Sequence, residues 1–510
     1  MLQSSPVRGG VFINSREKAP LPPLMGVGIS HLRRIKLAAS PQSAEASDGK
    51  GVYLTAERNV SRVWLRLERS GEDRSLKIVT AEKTSVYRRS VGLAIFWLAV
   101  VLAAGPVFAQ VKPGDFIDAS GAEKVRDLVS PGVFWRVEHG MTMTITPTER
   151  IDWPPPYKVA TEKYSPQVRL SDDHRSLVGY VAGQPFPLLD ANDPDVAVKV
   201  MWNNAFRPMY SDDLDARFFS CHGRYEEREK KEHEVEYEEI GHYRIYNEVG
   251  RTEVEPLPID PDFKLTGRYF LAALYPVLAP AEIRGRGFLR YRYADPNRGD
   301  DAWLWRPGTR RLRRVSEDFL GSAEGTEQFY PDDYEGFSAK NENYEWKFLG
   351  EKTVLGAIDV EHVPAIPCRT DGLASVCPER WQLRHVYVVE GRPRRSRVPE
   401  ELYSRHVVYV DAEAWVVLAH DAYDRRGELF KSFANWMTYR DRAVPDARVA
   451  IYPFKRVFEV AETTTDVQSG LAETCFLPSP ETKERETWYI NMGATDKTMF
   501  TFQALVDAAH

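Results

Sequence analysis

The stretch from His406 to Arg440 reads HVVYVDAEAWVVLAHDAYDRRGELFKSFANWMTYR, and its reading decides the fold. Three runs rich in Val, Phe, Tyr and Trp are separated by Asp411-Ala-Glu413 and by Asp424-Arg-Arg-Gly427. β-Branched and aromatic side chains suit a pleated, half-buried surface, whereas Asp and Gly supply the local side-chain hydrogen bonds and left-handed backbone of tight turns. Links this short join antiparallel neighbours. The stretch therefore predicts a meander of three strands.

The same texture extends outward from it. Arg268–Leu271, Gly287–Tyr293, Ala302–Trp305, Tyr344–Leu349, Trp381–Val389, His406–Val410 and Ala414–His420 all read as strands, with turn signals at Asp295-Pro-Asn297 and Arg306-Pro-Gly308. No β-α-β alternation appears, which excludes a doubly wound sheet. Helices are few. Ser120–Ser130 places Ala122, Val125 and Val129 on one face and is stopped by Pro131-Gly132; Asp193-Pro194 opens a second helix carrying Val196, Val200 and Met201. Trp153–Pro156 and Pro185–Pro187 read as extended connectors. The expected class is α+β, mostly β, with one large antiparallel sheet.

Upstream, Arg88-Arg89 precede the uncharged run Val91–Ala104, which is followed by Gly105-Pro-Val-Phe-Ala109. A spanning helix needs about 20 apolar residues; this run has the length of a signal-peptide core and ends in a small-residue cleavage site. Residues 86–109 are thus expected to be a signal peptide, cut between Ala109 and Gln110; an uncleaved single-span anchor is the alternative. Gln110 stands where a lipoprotein would need cysteine. Residues 1–85 precede the signal and read as a disordered or mis-assigned upstream extension. Residues 1–89 carry 16 Lys/Arg and 8 Asp/Glu, a charge of +8; subtraction from the totals of 68 and 74 leaves 52 against 66, or −14, for the rest. Residues 110–510 then form a single exported domain whose expected location is the periplasm.

All four cysteines fall after the cleavage site, where export makes disulfides the default. Cys368 and Cys377 bracket a loop short enough to close as a hairpin, which leaves Cys221 and Cys475 as the residual pair; four cysteines allow three connectivities. No C-x-x-C or H-E-x-x-H metal pattern occurs. The acidic balance argues against nucleic acid, which is held by clustered cations. One basic cluster, Arg310, Arg311, Arg313 and Arg314, reads as a solvated strand face, with phosphates or anionic lipid head groups as the alternative.

The meander His406–Arg440 is similar to that of the outer-membrane lipoprotein carrier (LolA/LolB-like) superfamily. Gly287–Ser316, GFLRYRYADPNRGDDAWLWRPGTRRLRRVS, resembles a segment of domain-of-unknown-function family 1329, which is grouped with that superfamily. The resemblance runs from about Asp115 to Leu505. It implies a strongly curved antiparallel sheet, a half-barrel, with a few helices closing an apolar cavity. It also implies a hydrophobic small molecule or lipid as partner, transient membrane contact, and work beside a resistance-nodulation-division-type transporter. The cavity candidates are Tyr291, Tyr293, Trp303, Trp305, Trp346, Phe348, Trp415, Phe430, Phe433 and Trp436, although for any single one of them packing into a dry core is the favoured reading. This chain is about twice the length of the simple carriers, so their ligand does not transfer.

No catalytic constellation appears: there is no G-x-S-x-G elbow, phosphate-cradling loop or dinucleotide fingerprint. His222, His233 and His242 lie in a Glu-rich segment that reads as a solvated strand face, and the pairs Asp172-Asp173, Asp212-Asp213 and Asp332-Asp333 as loop acids. No enzyme activity, cofactor or metal is expected. A periplasmic carrier or transporter accessory leads, with a structural or assembly-scaffold protein of the envelope as the alternative and an unrecognised hydrolase third.

Overall fold

The computed structural model describes residues 111–225, 235–315, 329–368, 375–377, 380–398, 402–441 and 449–509, together with backbone at 53–54, 65–69 and 76–80. The chain divides into two units, Met1–Gly105 and Pro106–His510. In the first, Tyr53–Leu54, Leu65–Arg69 and Leu76–Thr80 pair in that order as an antiparallel sheet. The hydrophobic run and the cleavage site at Ala109 and Gln110 lie outside the described residues.

The second unit is built on one large antiparallel sheet. Its strands in chain order are β1 (Asp213–Tyr225), β2 (Val235–Asn247), β3 (Arg268–Leu274), β4 (Gly287–Tyr293), β5 (Asp301–Arg306), β6 (Arg311–Val315), β7 (Tyr344–Gly356), β8 (Arg380–Pro393), β9 (Arg405–Asp411), β10 (Val417–Tyr423), β11 (Leu429–Arg440), β12 (Arg456–Asp466) and β13 (Leu471–Phe476). Pairing runs β6-β5-β4-β3-β2-β1-β13-β12-β11-β10-β9-β8-β7. Two meanders, β1 to β6 and β7 to β13, therefore meet at a single β1–β13 seam. Among the described residues no pairing joins the edge strands β6 and β7, so the curved sheet is open. Trp488–Ile490 adds a short strand beside β1.

The turns within the 406–440 meander follow from their aspartates. Asp411 accepts from the N–H groups of Glu413 (2.9 Å) and Ala414 (2.7 Å), and the buried Arg384 donates to both its oxygens at 2.7 and 3.2 Å. Asp424 accepts from the N–H groups of Arg426 and Glu428 at 2.8 and 3.0 Å, and Gly427 takes φ +82°. The second strand starts at Val417, later than the expected Ala414, because Trp415 sits in the turn at φ +59°.

The helices depart from expectation where proline is concerned. Ser120–Ser130 forms two 3₁₀ turns, Ala119–Lys124 and Arg126–Leu128, and Pro131 begins a helix instead of ending one. In α1 (Pro131–Glu138) Ser130 caps the N–H of Val133 at 3.1 Å, and proline fits the first helical position because its missing N–H would be unpaired there anyway. Pro155-Pro156 likewise opens α2 (Pro155–Tyr164) in place of an extended connector. The helix expected from Asp193 starts at Val196: α3 spans Val196–Ala205.

The sheet's middle strands are covered on both faces. On one, Asp421 accepts from Ser130 Oγ (2.9 Å) and from Gly132 N–H (3.0 Å), and buried Arg136 donates to the carbonyls of Ser432 and Thr463 at 2.6 and 3.1 Å, fixing α1. On the other face lie α3 and the segment Phe329–Asn343, which we call the plug. This double cover explains why β11 and β12 lose the buried/exposed alternation of a one-sided sheet.

Candidate functional site

Both sequence-predicted disulfides are present, Cys221–Cys475 and Cys368–Cys377. Cys221 and Cys475 are directly opposite each other on β1 and β13, so the bond staples the seam between the two meanders. Beneath it lies a small enclosed space lined by Leu214, Phe219, Leu274, Leu477, Trp488, Tyr210, Tyr243 and Tyr334, together with three carboxylates, Glu335, Glu459 and Glu462. It encloses about 30 Å³, room for one or two water molecules.

The plug contributes Tyr334 and Glu335 to this lining from a strained turn. Glu335 holds φ 59° and ψ 27°, a left-handed conformation costly for a side-chain-bearing residue. Gly336 follows at φ +79°, and a Cβ there would stand 2.2 Å from Asn435 Nδ2 and 2.7 Å from Val417 Cβ. Only glycine lets the backbone rest this closely on β10 and β11. The turn is held by charge: the Glu335 N–H donates to Glu462 Oε2 at 2.7 Å, and the Glu335 carboxylate pairs with Arg207, which also donates to the Asn204 carbonyl at 2.9 Å.

Glu459 and Glu462 project from β12 into this interior. Glu459 is 2% exposed and Glu462 3%, and Glu459 Oε1 has no hydrogen-bond partner among the described residues. Burial, reinforced by the charge of Glu335 and opposed by Arg207, pushes the Glu459 carboxyl well above the ordinary carboxylate range. Burial and then Glu459 do the same to Glu462. Tyr210 and Glu335 also border a second, more polar space of about 70 Å³ reached past Arg207 and lined by Asn204, Asn247, Arg292 and Phe337. Beside the plug, His406 Nδ1 and His420 Nε2 share a hydrogen bond of 2.9 Å; burial holds His420 down at about 3 and His406 well below its ordinary value, so both rings are neutral.

The ten aromatic candidates do not meet around one space. Tyr291, Trp303 and Trp305 pack with Phe500 and Leu505 of the C-terminal segment, and Tyr293 donates to Asp301 at 2.7 Å. Trp346, Phe348 and Trp415 pack with Val196 and Val200 of α3. Phe433 and Trp436 are buried in the main core with Phe430 packed against it, and Phe433 stacks on His420. None of the ten lines the space beneath the seam. Of the histidines, His222 bonds Ser220 at 2.9 Å, His242 accepts from Phe218 N–H at 3.0 Å, and His233 lies outside the described residues. Asp212 and Asp213 are buried anchors: Asp212 accepts from the N–H groups of Thr252, Glu253 and Val254, Asp213 from those of Gly493, Ala494 and Thr495. Arg310, Arg311, Arg313 and Arg314 are exposed at or beside edge strand β6, where charge discourages further strand pairing. Sequence reasoning passed over Glu459 and Glu462, although two acids inside the run Arg456-Val-Phe-Glu-Val-Ala-Glu-Thr463 are the visible signal.

The model of the family described as "Protein of unknown function (DUF1329)" matches residues 116–506. The chain belongs to this family. The DUF1329 match bears out the resemblance read in Gly287–Ser316. An uncharacterized protein of Pseudomonas aeruginosa, PA3922, is 26% identical over 180 residues, covering 33% of this chain and 39% of that protein. Among solved structures, a domain from Vibrio parahaemolyticus described as a candidate outer membrane lipoprotein-sorting protein aligns over 61% of this chain and 99% of its own, at 15% identity and TM-score 0.40. A DUF1329 family protein from Desulfovibrio piger aligns over 58% and 92%, at 15% identity and TM-score 0.37. No helix among the described residues is long and apolar enough to cross a membrane.

Proposed function

We propose that this DUF1329 protein is a non-catalytic carrier or transporter accessory of the cell envelope, exported to the periplasm, that holds a hydrophobic ligand against the plugged face of its sheet. The observation that carries this reading is the space beneath the seam, enclosed by Leu214, Phe219, Leu274, Leu477 and Trp488 and shut by a turn in strained backbone. Apolar walls bind by removing ligand surface from water at roughly 25 cal/mol per Å², and few polar contacts are then needed. A volume of about 30 Å³ is too small for a lipid as it stands, so under this reading loading requires withdrawal of Tyr334 and Glu335. Mass spectrometry of gently purified protein should release a bound lipid or other apolar molecule on denaturation. Protein that carries none, and that no fluorescent lipid analogue saturates, refutes the reading.

A second reading, an envelope scaffold, is favoured by the dense burial of Trp305, Trp415 and Trp436. Clean protein with full stability would support it.

A further inference from the structure

Resting on the carrier reading, we infer that the ligand received beneath the seam is an apolar organic cation, an alkyl- or arylammonium, and not a fatty acid or other anionic amphiphile.

The lining argues this from its composition. Every ionisable side chain that borders the space, apart from tyrosine, is a carboxyl group: Glu335 from the plug, and Glu459 and Glu462 from β12. Arg207, from the loop after α3, pairs with Glu335, donates to the Asn204 carbonyl, and also engages Tyr210 and acts on the charge of Glu459. The tyrosines come from three directions: Tyr210 from the loop before β1, Tyr243 from β2 and Tyr334 from the plug; Phe219 and Trp488 complete an aromatic wall. Carboxylates supply the counter-charge for an ammonium group, and aromatic faces attract it through their quadrupoles.

An acidic cluster alone says little, but one oxygen here is left over. Glu462 Oε2 is used by the Glu335 N–H, and Glu335 by Arg207. Glu459 Oε1 is buried beside the space with no partner among the described residues. A buried acceptor without a donor is costly, and an ammonium N–H entering from the cavity side satisfies it. A carboxylate or phosphate head would instead add a second negative charge beside the Glu335 carboxylate, whose Arg207 partner is already engaged, in a low-dielectric interior.

Binding of a cation to Glu459 favours its ionised form. Burial raises the pKa of this carboxyl in the empty protein and a bound cation lowers it, so binding is coupled to proton release. Affinity for the cation therefore rises with pH until Glu459 ionises unaided.

The test uses three probes of one chain length, hexylammonium, hexanol and hexanoate, titrated into the whole protein while the emission of Trp488 and its neighbours is followed. Hexylammonium should saturate at a concentration at least tenfold below hexanol, and hexanoate should not bind. Glu459→Gln, which keeps size and polarity, should weaken hexylammonium at least tenfold and abolish its pH dependence, and an unchanged thermal melt shows that the variant is folded. Equal affinity for hexylammonium and hexanol, or preference for hexanoate, overturns the cation assignment while leaving the carrier reading standing. Saturation by none of the three overturns both.

Discussion

Replacing Cys221 and Cys475 together by alanine should be the most damaging pair of substitutions outside the apolar core. The bond joins residues 254 apart, and closing a loop of that length restricts the unfolded chain by about 5.5 kcal/mol at 25 °C in the chain-entropy model. The Cys368–Cys377 bond, with a separation of 9, gives about 2.6 kcal/mol on the same footing. Domains are stable by only about 5–15 kcal/mol. Loss of the seam bond should thus bring the protein close to unfolding at 37 °C, whereas C368A/C377A should remain folded. Alanine also removes two buried sulfurs beside the enclosed space, which acts in the same direction. Guanidinium unfolding of the oxidised protein and the two double variants, followed by tryptophan emission, measures the difference. If C221A/C475A loses no more stability than C368A/C377A, the seam is not where the two meanders depend on a covalent staple, and the reasoning fails.

Asp213→Ala should cost about 3 kcal/mol in a thermal or denaturant melt, because three backbone N–H groups of Gly493, Ala494 and Thr495 lose their acceptor. Gly336→Ala should destabilise by about 2 kcal/mol or more, since the added methyl meets Asn435 and Val417 and φ +79° strains any residue but glycine; an unchanged melting temperature would show that the plug backbone is not seated as described. Burial lifts the Asp421 carboxyl from 3.8 to about 6, so the folded protein retains a proton that the unfolded chain has released. Stability from this group is present at low pH and is lost as pH rises from about 4 through 6, by about 3 kcal/mol; Asp421→Asn should flatten stability over that window, and an unaltered pH profile would sink the assignment.

What the sequence disclosed was set by which forces act locally. The strands of the 406–440 meander and their turns were legible because Asp411 and Asp424 make their hydrogen bonds within a few residues of themselves. The helices starting at Pro131 and Pro155 were hidden because proline punctuates at either end of an element; for the first, the cap on Val133 and the dock on Asp421, 290 residues away, decide which. The cavity lining was the least legible part. Aromatic residues were counted as cavity lining, yet apolar content alone does not distinguish a core from a pocket. Trp305, Trp415 and Trp436 accordingly went to three different packing clusters. The groups that mark the candidate site are the opposite kind, acids at positions of β12 that the double cover buries, and that burial depends on a plug from another part of the chain.

The carrier reading asks the plug to move, and two features of the plugged face fit that proposal. A purely structural core gains nothing from burying Glu459 with an unpartnered oxygen, since apolar replacement of buried ionic groups is often neutral or stabilising. Nor does it gain from holding Glu335 in left-handed backbone. Both features raise the energy of the closed form, and the Arg207–Glu335 pair and the Glu335–Glu462 hydrogen bond lower it again through contacts that are all made by the same two-residue turn. A state stabilised and strained at one point can be exchanged for another by a ligand that supplies what the turn supplied: apolar contact for the walls and a donor for the acids. The disulfide at the seam then has a second consequence. Under the carrier reading, it would keep β1 and β13 together as the turn withdraws, so that the space beneath the sheet is exposed without separating the two meanders.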